Sequence, residues 1–455
     1  MRRGVLVLVV LAVAGASGGA VALTAPSLVA NLSPEKPVPA PVVPRAMLGP
    51  LSAGAPLPTA AGLATALGTA AGDMPGKFGG TVLDPANGTV LWQHNPEQAL
   101  APGSTGKILT TSAALLTLNP TDTFITRVVA GTDPGTVVLV GGGDPTLTAL
   151  PAGKTGVYPD PSRLVDLAAK VKKTAKAPIT KVVIDTSRYK GPLLAQGWDP
   201  ADIPAGNITP IVPLMIDGGR VDPTMQDGKR TTTPADAAGV AFAKLLGLDE
   251  DAVEPGTAPA GAQTLAAVAS APFADLVETT IRESDNVLAE ALAREVAIVK
   301  NGEPSFTGAA AQTMAALSQA GFDPTGAVLS DGSGLSTDDR VPPKVLGALL
   351  AAAAAPAQGD RDTEFLRPIL TGLPVAGGDG TLGDRFGRTT DAAAGRGVVR
   401  AKTGTLDNVS SLAGVVTDAD GRLLVFALMS NGVMPAKARP LLDDLAATLG
   451  GCGCR

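Results

Sequence analysis

Pro102-Gly103-Ser104-Thr105-Gly106-Lys107-Ile108-Leu109-Thr110-Thr111-Ser112-Ala113-Ala114-Leu115 is the stretch on which the reading of this chain turns. Pro102-Gly103 is a chain-turning pair, and the residues from Ile108 to Leu118 keep an apolar face, which predicts a helix opening at Ser104. A lysine three residues along a helix leaves from the same face as the serine, so Lys107 is placed to act as a base on the Ser104 hydroxyl. The spacing alone says little, because Ser33-Pro34-Glu35-Lys36 shares it within a proline-rich segment that reads as a tether. Only Ser104 follows a predicted β-hairpin, with strands at Gly79-Gly80-Thr81-Val82-Leu83 and Thr89-Val90-Leu91-Trp92 around the turn Asp84-Pro85-Ala86-Asn87-Gly88. At a helix start the serine oxygen and backbone N–H face a common space with the helix dipole behind them.

Two further groups of residues suit acyl transfer. Ser284-Asp285-Asn286 interrupts the helical pattern that runs from Val277 to Val299, and it offers a hydroxyl to relay a proton to a leaving amine and an amide to grip a substrate backbone. Lys402-Thr403-Gly404-Thr405 continues the strand that begins at Val398. There a lysine and a hydroxyl attract an anionic substrate end, the glycine permits close backbone approach, and the following N–H points at an oxyanion. A second copy, Lys154-Thr155-Gly156, lies between Pro151 and Pro159 with no apolar strand around it and is assigned to a loop.

Ser-x-x-Lys, Ser-Asp-Asn and Lys-Thr-Gly, in that order, are similar to the active-site set of the penicillin-binding proteins and serine β-lactamases. The long separation of Ser104 from Ser284 resembles the D-alanyl-D-alanine carboxypeptidase/endopeptidase family of low-molecular-mass penicillin-binding proteins, the branch with a large insertion between the first two motifs. The strings Gly142-Gly143-Asp144-Pro145-Thr146-Leu147, Asp331-Gly332-Ser333-Gly334-Leu335-Ser336 and Asp379-Gly380-Thr381-Leu382 are similar to segments that recur there.

The resemblance implies an α/β transpeptidase-like fold, an antiparallel sheet flanked by helices, with an inserted, mostly β domain. It implies Ser104 as nucleophile, Lys107 as base, Ser284 as proton relay, and Asn286, Lys402, Thr403, Gly404 and Thr405 as substrate contacts. The implied substrates are peptidoglycan stem peptides, cleaved through an acyl-enzyme by carboxypeptidase action, with endopeptidase action as a further expectation, β-lactam antibiotics as inhibitors and no metal or organic cofactor. A serine β-lactamase using the same residues and a non-catalytic wall-binding module are the competing expectations. Gly103 and Gly106, on either side of the nucleophile turn, depart from the family pattern and are expected to loosen it.

The rest of the chain bounds these readings. With 455 residues, 45% hydrophobic, the chain is long enough for two packed domains and too apolar to stay disordered. A net charge of -6 and 3% aromatic residues provide neither a basic face nor stacking platforms, so no nucleic-acid partner is expected. A single histidine, His94, read as a polar strand end, leaves little material for a histidine-based triad or a catalytic zinc site. Cys452 and Cys454 are too few and too terminal to staple the fold.

The uncharged apolar run Val5 to Leu23 after Met1-Arg2-Arg3 predicts export, with residues 1–25 as a signal peptide or a membrane anchor. Residues 26–59, with Pro34, Pro37, Pro39, Pro41 and Pro44, read as a tether. Residues 60–119 and 258–446 are expected to form the catalytic domain, 120–257 the insertion and 447–455 a flexible tail.

Overall fold

The computed structural model describes residues 54–356 and 363–455. The expected signal or anchor and most of the tether lie outside the described residues. Strands β1 (Lys77–Asp84) and β2 (Thr89–His94) form the predicted hairpin, which opens a five-stranded sheet completed by β8 (Val399–Leu406), β9 (Val409–Thr417) and β10 (Leu423–Asn431). Its order is β2-β1-β10-β9-β8, antiparallel at every step, so β8, which carries Lys402, is an edge strand.

The last strands read as unbroken apolar runs because both faces of this sheet are covered. Along β10 the alternation is simple: Val425, Ala427 and Met429 enter one core, and Leu424, Phe426 and Leu428 enter the other. The first core is closed by α2 (Lys107–Thr117), α5 (Phe273–Arg282), α6 (Asn286–Val299) and α8 (Pro343–Ala354), and the second by α1 (Ala60–Gly72) and α10 (Pro435–Gly451). Burying such side chains stabilises by about 1.5–3 kcal/mol each.

A second sheet lies between α2 and α5 in sequence. Its order is β6-β5-β4-β3-β7, built from β3 (Ile125–Ala130), β4 (Thr136–Val140), β5 (Lys181–Asp185), β6 (Val253–Gly256) and β7 (Thr264–Ala269). The β4–β5 and β5–β6 pairs are parallel, and the helices α3 (Leu164–Thr174) and α4 (Pro234–Leu246) cover the sheet. This region therefore contains more helix than the sequence reading expected. It also runs past residue 257, because 264–269, expected within the catalytic domain, finds a strand partner in β3.

A loop-rich segment of the same region packs Trp198, Ile203, Ile208 and Ile211 against Val287 of α6 and Phe306 of α7 (Phe306–Gln319). The chain end is not loose either. Cys452 is buried against the second core and bonded to Cys454, whose carbonyl accepts the Thr59 N–H at 2.8 Å beside the start of α1.

Candidate active site

Ser104 sits in a short 3-10 turn, Gly103–Gly106, that runs directly into α2. The flanking glycines do not loosen it. Gly103 has φ +53°, and a methyl group there would lie 2.8 Å from the Thr405 nitrogen; at Gly106 it would lie 3.3 Å from the Gly334 Cα. The Ser104 turn, β8 and the 331–336 loop thus meet backbone to backbone, which no residue with a side chain at 103 would allow.

Lys107 is the first residue of α2 and is 0% exposed. Its Nζ lies 2.9 Å from Ser104 Oγ, 2.6 Å from Asn286 Oδ1 and 2.7 Å from the Ser333 carbonyl. Burial pulls its pKa down from 10.5 to about 8, against the opposing pull of Asp331, Asp285, Glu290 and Asp339.

The predicted break between two helices falls at Ser284-Asp285. Ser284 has φ +57°, a strained conformation for a residue with a side chain, and Asp285 caps α6 by accepting the Leu288 N–H at 2.9 Å. The other Asp285 oxygen accepts from Tyr158 Oη at 2.8 Å and Arg220 Nη2 at 3.1 Å, with Arg230 Nη2 at 3.9 Å. Burial alone would raise the Asp285 pKa, but Arg220, Arg230 and these hydrogen bonds hold its carboxyl well below the usual carboxylate range. Asn286 donates from Nδ2 to the Asn207 carbonyl at 2.9 Å, which turns its Oδ1 toward Lys107.

Lys402 is also 0% exposed. Its Nζ donates to Ser284 Oγ at 2.7 Å and to the Thr403 carbonyl at 3.1 Å. Burial, then the charge of Lys107, push its pKa well below the ordinary lysine value, with Glu283 opposing. Gly404 pairs with Ser411 across the β8–β9 ladder and leaves room for the Pro102 carbonyl. Thr403 Oγ1 lies 2.8 Å from Thr381 Oγ1, and Thr405 Oγ1 accepts from Arg439 Nη2 at 2.8 Å. Ser104, Lys107, Ser284, Asn286 and Lys402–Thr405 therefore converge. Lys154-Thr155-Gly156 lies in an exposed loop and does not line the cleft over these groups.

Several residues of the surroundings escaped the sequence reading. Asp331 Oδ1 takes the N–H groups of Ser333 and Gly334, and its Oδ2 takes the Trp198 indole and the Ser336 N–H. Glu290 takes the Gly332 N–H at 2.9 Å, and burial followed by the Asp331 charge lifts its pKa to about 7. Asp331 lies in a string similar to one that recurs in the family. Tyr158, Arg220, Asn207, Glu290 and Arg439 carry no local sign of their partners, which are distant in sequence.

A cleft of about 890 Å³ opens over these groups, lined among others by Ser104, Ser284, Asn286, Thr403, Thr405 and Arg439. A serine at hydrogen-bond distance from a buried lysine, beside an edge strand of an antiparallel sheet packed between helices, defines a transpeptidase-like serine hydrolase. Comparison with known proteins agrees. The model of the D-Ala-D-Ala carboxypeptidase 3 (S13) family matches residues 61–233 and 225–449. A carboxypeptidase of Mycobacterium tuberculosis is 46% identical, with 92% of this chain and 90% of that protein covered, and carboxypeptidase DacB of Mycolicibacterium smegmatis is 43% identical over the same shares. Penicillin binding protein 4 of Haemophilus influenzae shares the fold, with a TM-score of 0.67 at 24% identity and coverage of 84% of this chain and 97% of that one. The chain belongs to the D-Ala-D-Ala carboxypeptidase 3 (S13) family and is a serine-type D-Ala-D-Ala carboxypeptidase.

Proposed function

We propose that Ser104 attacks the carbonyl of the penultimate D-Ala of a peptidoglycan stem peptide, with Lys107 as the base. The observation that carries this is the 2.9 Å approach of Lys107 Nζ to Ser104 Oγ. With hydrogens given to Asn286 Oδ1 and the Ser333 carbonyl, a neutral Lys107 turns its lone pair to the serine hydroxyl and takes its proton as the C–O bond forms. The N–H groups of Ser104 and Thr405, brought together by Gly103, hold the oxyanion. As the C–N bond breaks, the leaving amine of D-Ala takes a proton through Ser284, whose hydroxyl is oriented by Lys402. Water then releases the acyl group from Ser104.

The same path on a crosslinked peptide is endopeptidase action, and on a β-lactam it gives a penicilloyl-enzyme. Intact-mass analysis after incubation with penicillin tests the nucleophile: the wild type gains one penicilloyl mass and Ser104→Ala gains none, whereas an adduct on Ser104→Ala refutes the assignment. Incubation with stem pentapeptide, crosslinked muropeptide and penicillin, followed by mass identification of products, separates carboxypeptidase, endopeptidase and β-lactamase turnover. No helix among the described residues is long and apolar enough to cross a membrane. The uncharged run from Val5 to Leu23 supports export of the enzyme to the cell envelope, as a secreted or N-terminally anchored protein. Recovery of the mature protein in the cytosol of its host would overturn that.

A further inference from the structure

A neutral amine carries two hydrogens and one lone pair, so its two acceptors decide where the lone pair points. For Lys107 these acceptors are Asn286 Oδ1 at 2.6 Å and the Ser333 carbonyl at 2.7 Å, which leaves the lone pair to Ser104 Oγ. Asn286 is held in turn by the Asn207 carbonyl. The Ser333 carbonyl is held by a carboxylate that does not line the cleft.

That carboxylate is Asp331, 1% exposed. Its Oδ1 accepts the Ser333 N–H at 2.9 Å and the Gly334 N–H at 2.6 Å, and its Oδ2 accepts the Ser336 N–H and the Trp198 indole N–H, both at 2.7 Å. Acceptance at both oxygens is the pattern of an ionised carboxylate, which has no hydrogen to give. Gly332 is fixed at both of its polar atoms, the N–H by Glu290 at 2.9 Å and the carbonyl by Thr110 Oγ1 at 2.6 Å. Gly334 has φ +78°, and a methyl group there would collide with the Gly103 carbonyl. The loop is thus set between Asp331 and the Ser104 turn, and its Ser333 carbonyl is kept on Lys107.

The charges facing Lys107 are Asp331 and Asp339 from this loop, Asp285 and Glu290 from the start and body of α6, and Lys402 from β8. Asp285 is taken up by Arg220 and Arg230, and Glu290 lies 3.4 Å from Arg294 Nη1, whose charge also faces Asp331. Asp339 accepts the Ser330 N–H at 2.6 Å, and its Oδ2 is buried without a hydrogen-bond partner. Burial, then the charge of Asp331, raise the Asp339 pKa to about 10, so it is protonated near neutral pH. Burial lowers the Lys107 pKa, and among the four carboxyls that oppose this Asp331 acts most strongly and Asp339 least.

We propose that Asp331 is the positioning residue of the base: through the Ser333 carbonyl it aims the Lys107 lone pair at Ser104, and its charge stabilises the ammonium formed when the serine proton is taken. Trp198 carries this support from the inserted region. The assignment rests on the acyl-transfer reading of Ser104 and Lys107.

The test follows the rate of penicillin acylation against pH by intact mass, beside the melting temperature. Asp331→Asn keeps the size but turns an amide NH₂ against N–H donors of the loop. Its plateau rate should fall by about 10- to 100-fold, and its midpoint should move below the wild-type value of about 8 by about half a pH unit or more, because an anion no longer favours the ammonium. A merely structural loss would reduce the fraction of protein that acylates and leave the midpoint in place. Asp339→Asn should keep the midpoint near 8. Trp198→Phe removes one donor to Asp331 and no charge, so its plateau should fall by about 3- to 10-fold at an unchanged midpoint; it decides the matter if Asp331→Asn does not fold. An unmoved midpoint in folded Asp331→Asn, a larger movement in Asp339→Asn, or a wild-type rate in Trp198→Phe would overturn the proposal. If the wild type took no penicillin on Ser104, or acylated at one rate from pH 6 to 9, the acyl-transfer reading itself would fall; a normal wild-type profile that Asp331→Asn reproduces would remove only the role of Asp331.

Discussion

Lys154-Thr155-Gly156 and Lys402-Thr403-Gly404 are the same tripeptide in two settings. The first lies in an exposed loop, where the Lys154 carbonyl accepts from Arg163 Nη2 and the side chain stands in water. The second is a stretch of edge strand pressed against the Ser104 turn, with its lysine enclosed and bonded to Ser284 and its glycine against the Pro102 carbonyl. The two copies differ in desolvation and in close backbone approach, while their residue types are the same. An ammonium in water is screened and mobile, whereas one held in the interior is fixed against a chosen oxygen.

The insertion is contrasted with the catalytic body in a similar way. All three motifs lie outside it. Yet Tyr158, Arg220 and Arg230 hold Asp285, Asn207 orients Asn286, and Trp198 bonds Asp331 behind the loop that touches Lys107. The second region is therefore part of the scaffold of the site.

The largest effect should come from Lys107→Ala, which removes the amine 2.9 Å from Ser104 Oγ. Penicillin acylation and D-Ala release should both fall by about 10³-fold or more. Because Lys107 binds its proton below its depressed pKa, the wild-type acylation rate should rise as pH increases through about 8 and level off above it. A flat profile between pH 6 and 9 would break the assignment of the base.

Arg220→Gln comes next, since it withdraws the main partner of a fully buried carboxylate. A loss of about 3–5 kcal/mol in stability is expected, seen as a lower melting temperature together with weaker acylation. A variant that melts like the wild type and acylates normally would show that the insertion is only a cover.

Lys402→Ala should cost about 2–4 kcal/mol of transition-state stabilisation, 30- to 1000-fold in rate, through loss of Ser284 orientation. Lys154→Ala should change acylation by less than about twofold, as is usual for an exposed side chain away from the site. A large loss there, with a mild effect at Lys402, would reverse the comparison between the two tripeptides.

Much of this protein was legible along the chain. The hairpin, the helix after Ser104, the helix break at Ser284 and the final strands all have short-range causes: turn residues, apolar periodicity and a capping aspartate. The insertion was read less well. Leu164, Leu167, Ala168 and Val171 carry the spacing of a helix face, but it was masked by the proline- and glycine-rich texture around them, and 264–269 became a strand only because β3 offered an open edge.

By itself the sequence determined the chemistry and its order: a serine with a lysine on the same helical face, a helix-breaking Ser-Asp-Asn, and a strand-borne Lys-Thr-Gly-Thr. These depend on spacing within one element, which the chain specifies directly. Only the tertiary structure decided which lysine is enclosed and which cation faces the cleft, that Gly103 serves close approach instead of looseness, and that Asp285 is held from the insertion. Burial, and the choice of partner that comes with it, arise from contacts between residues far apart in the chain, and no local pattern encodes them.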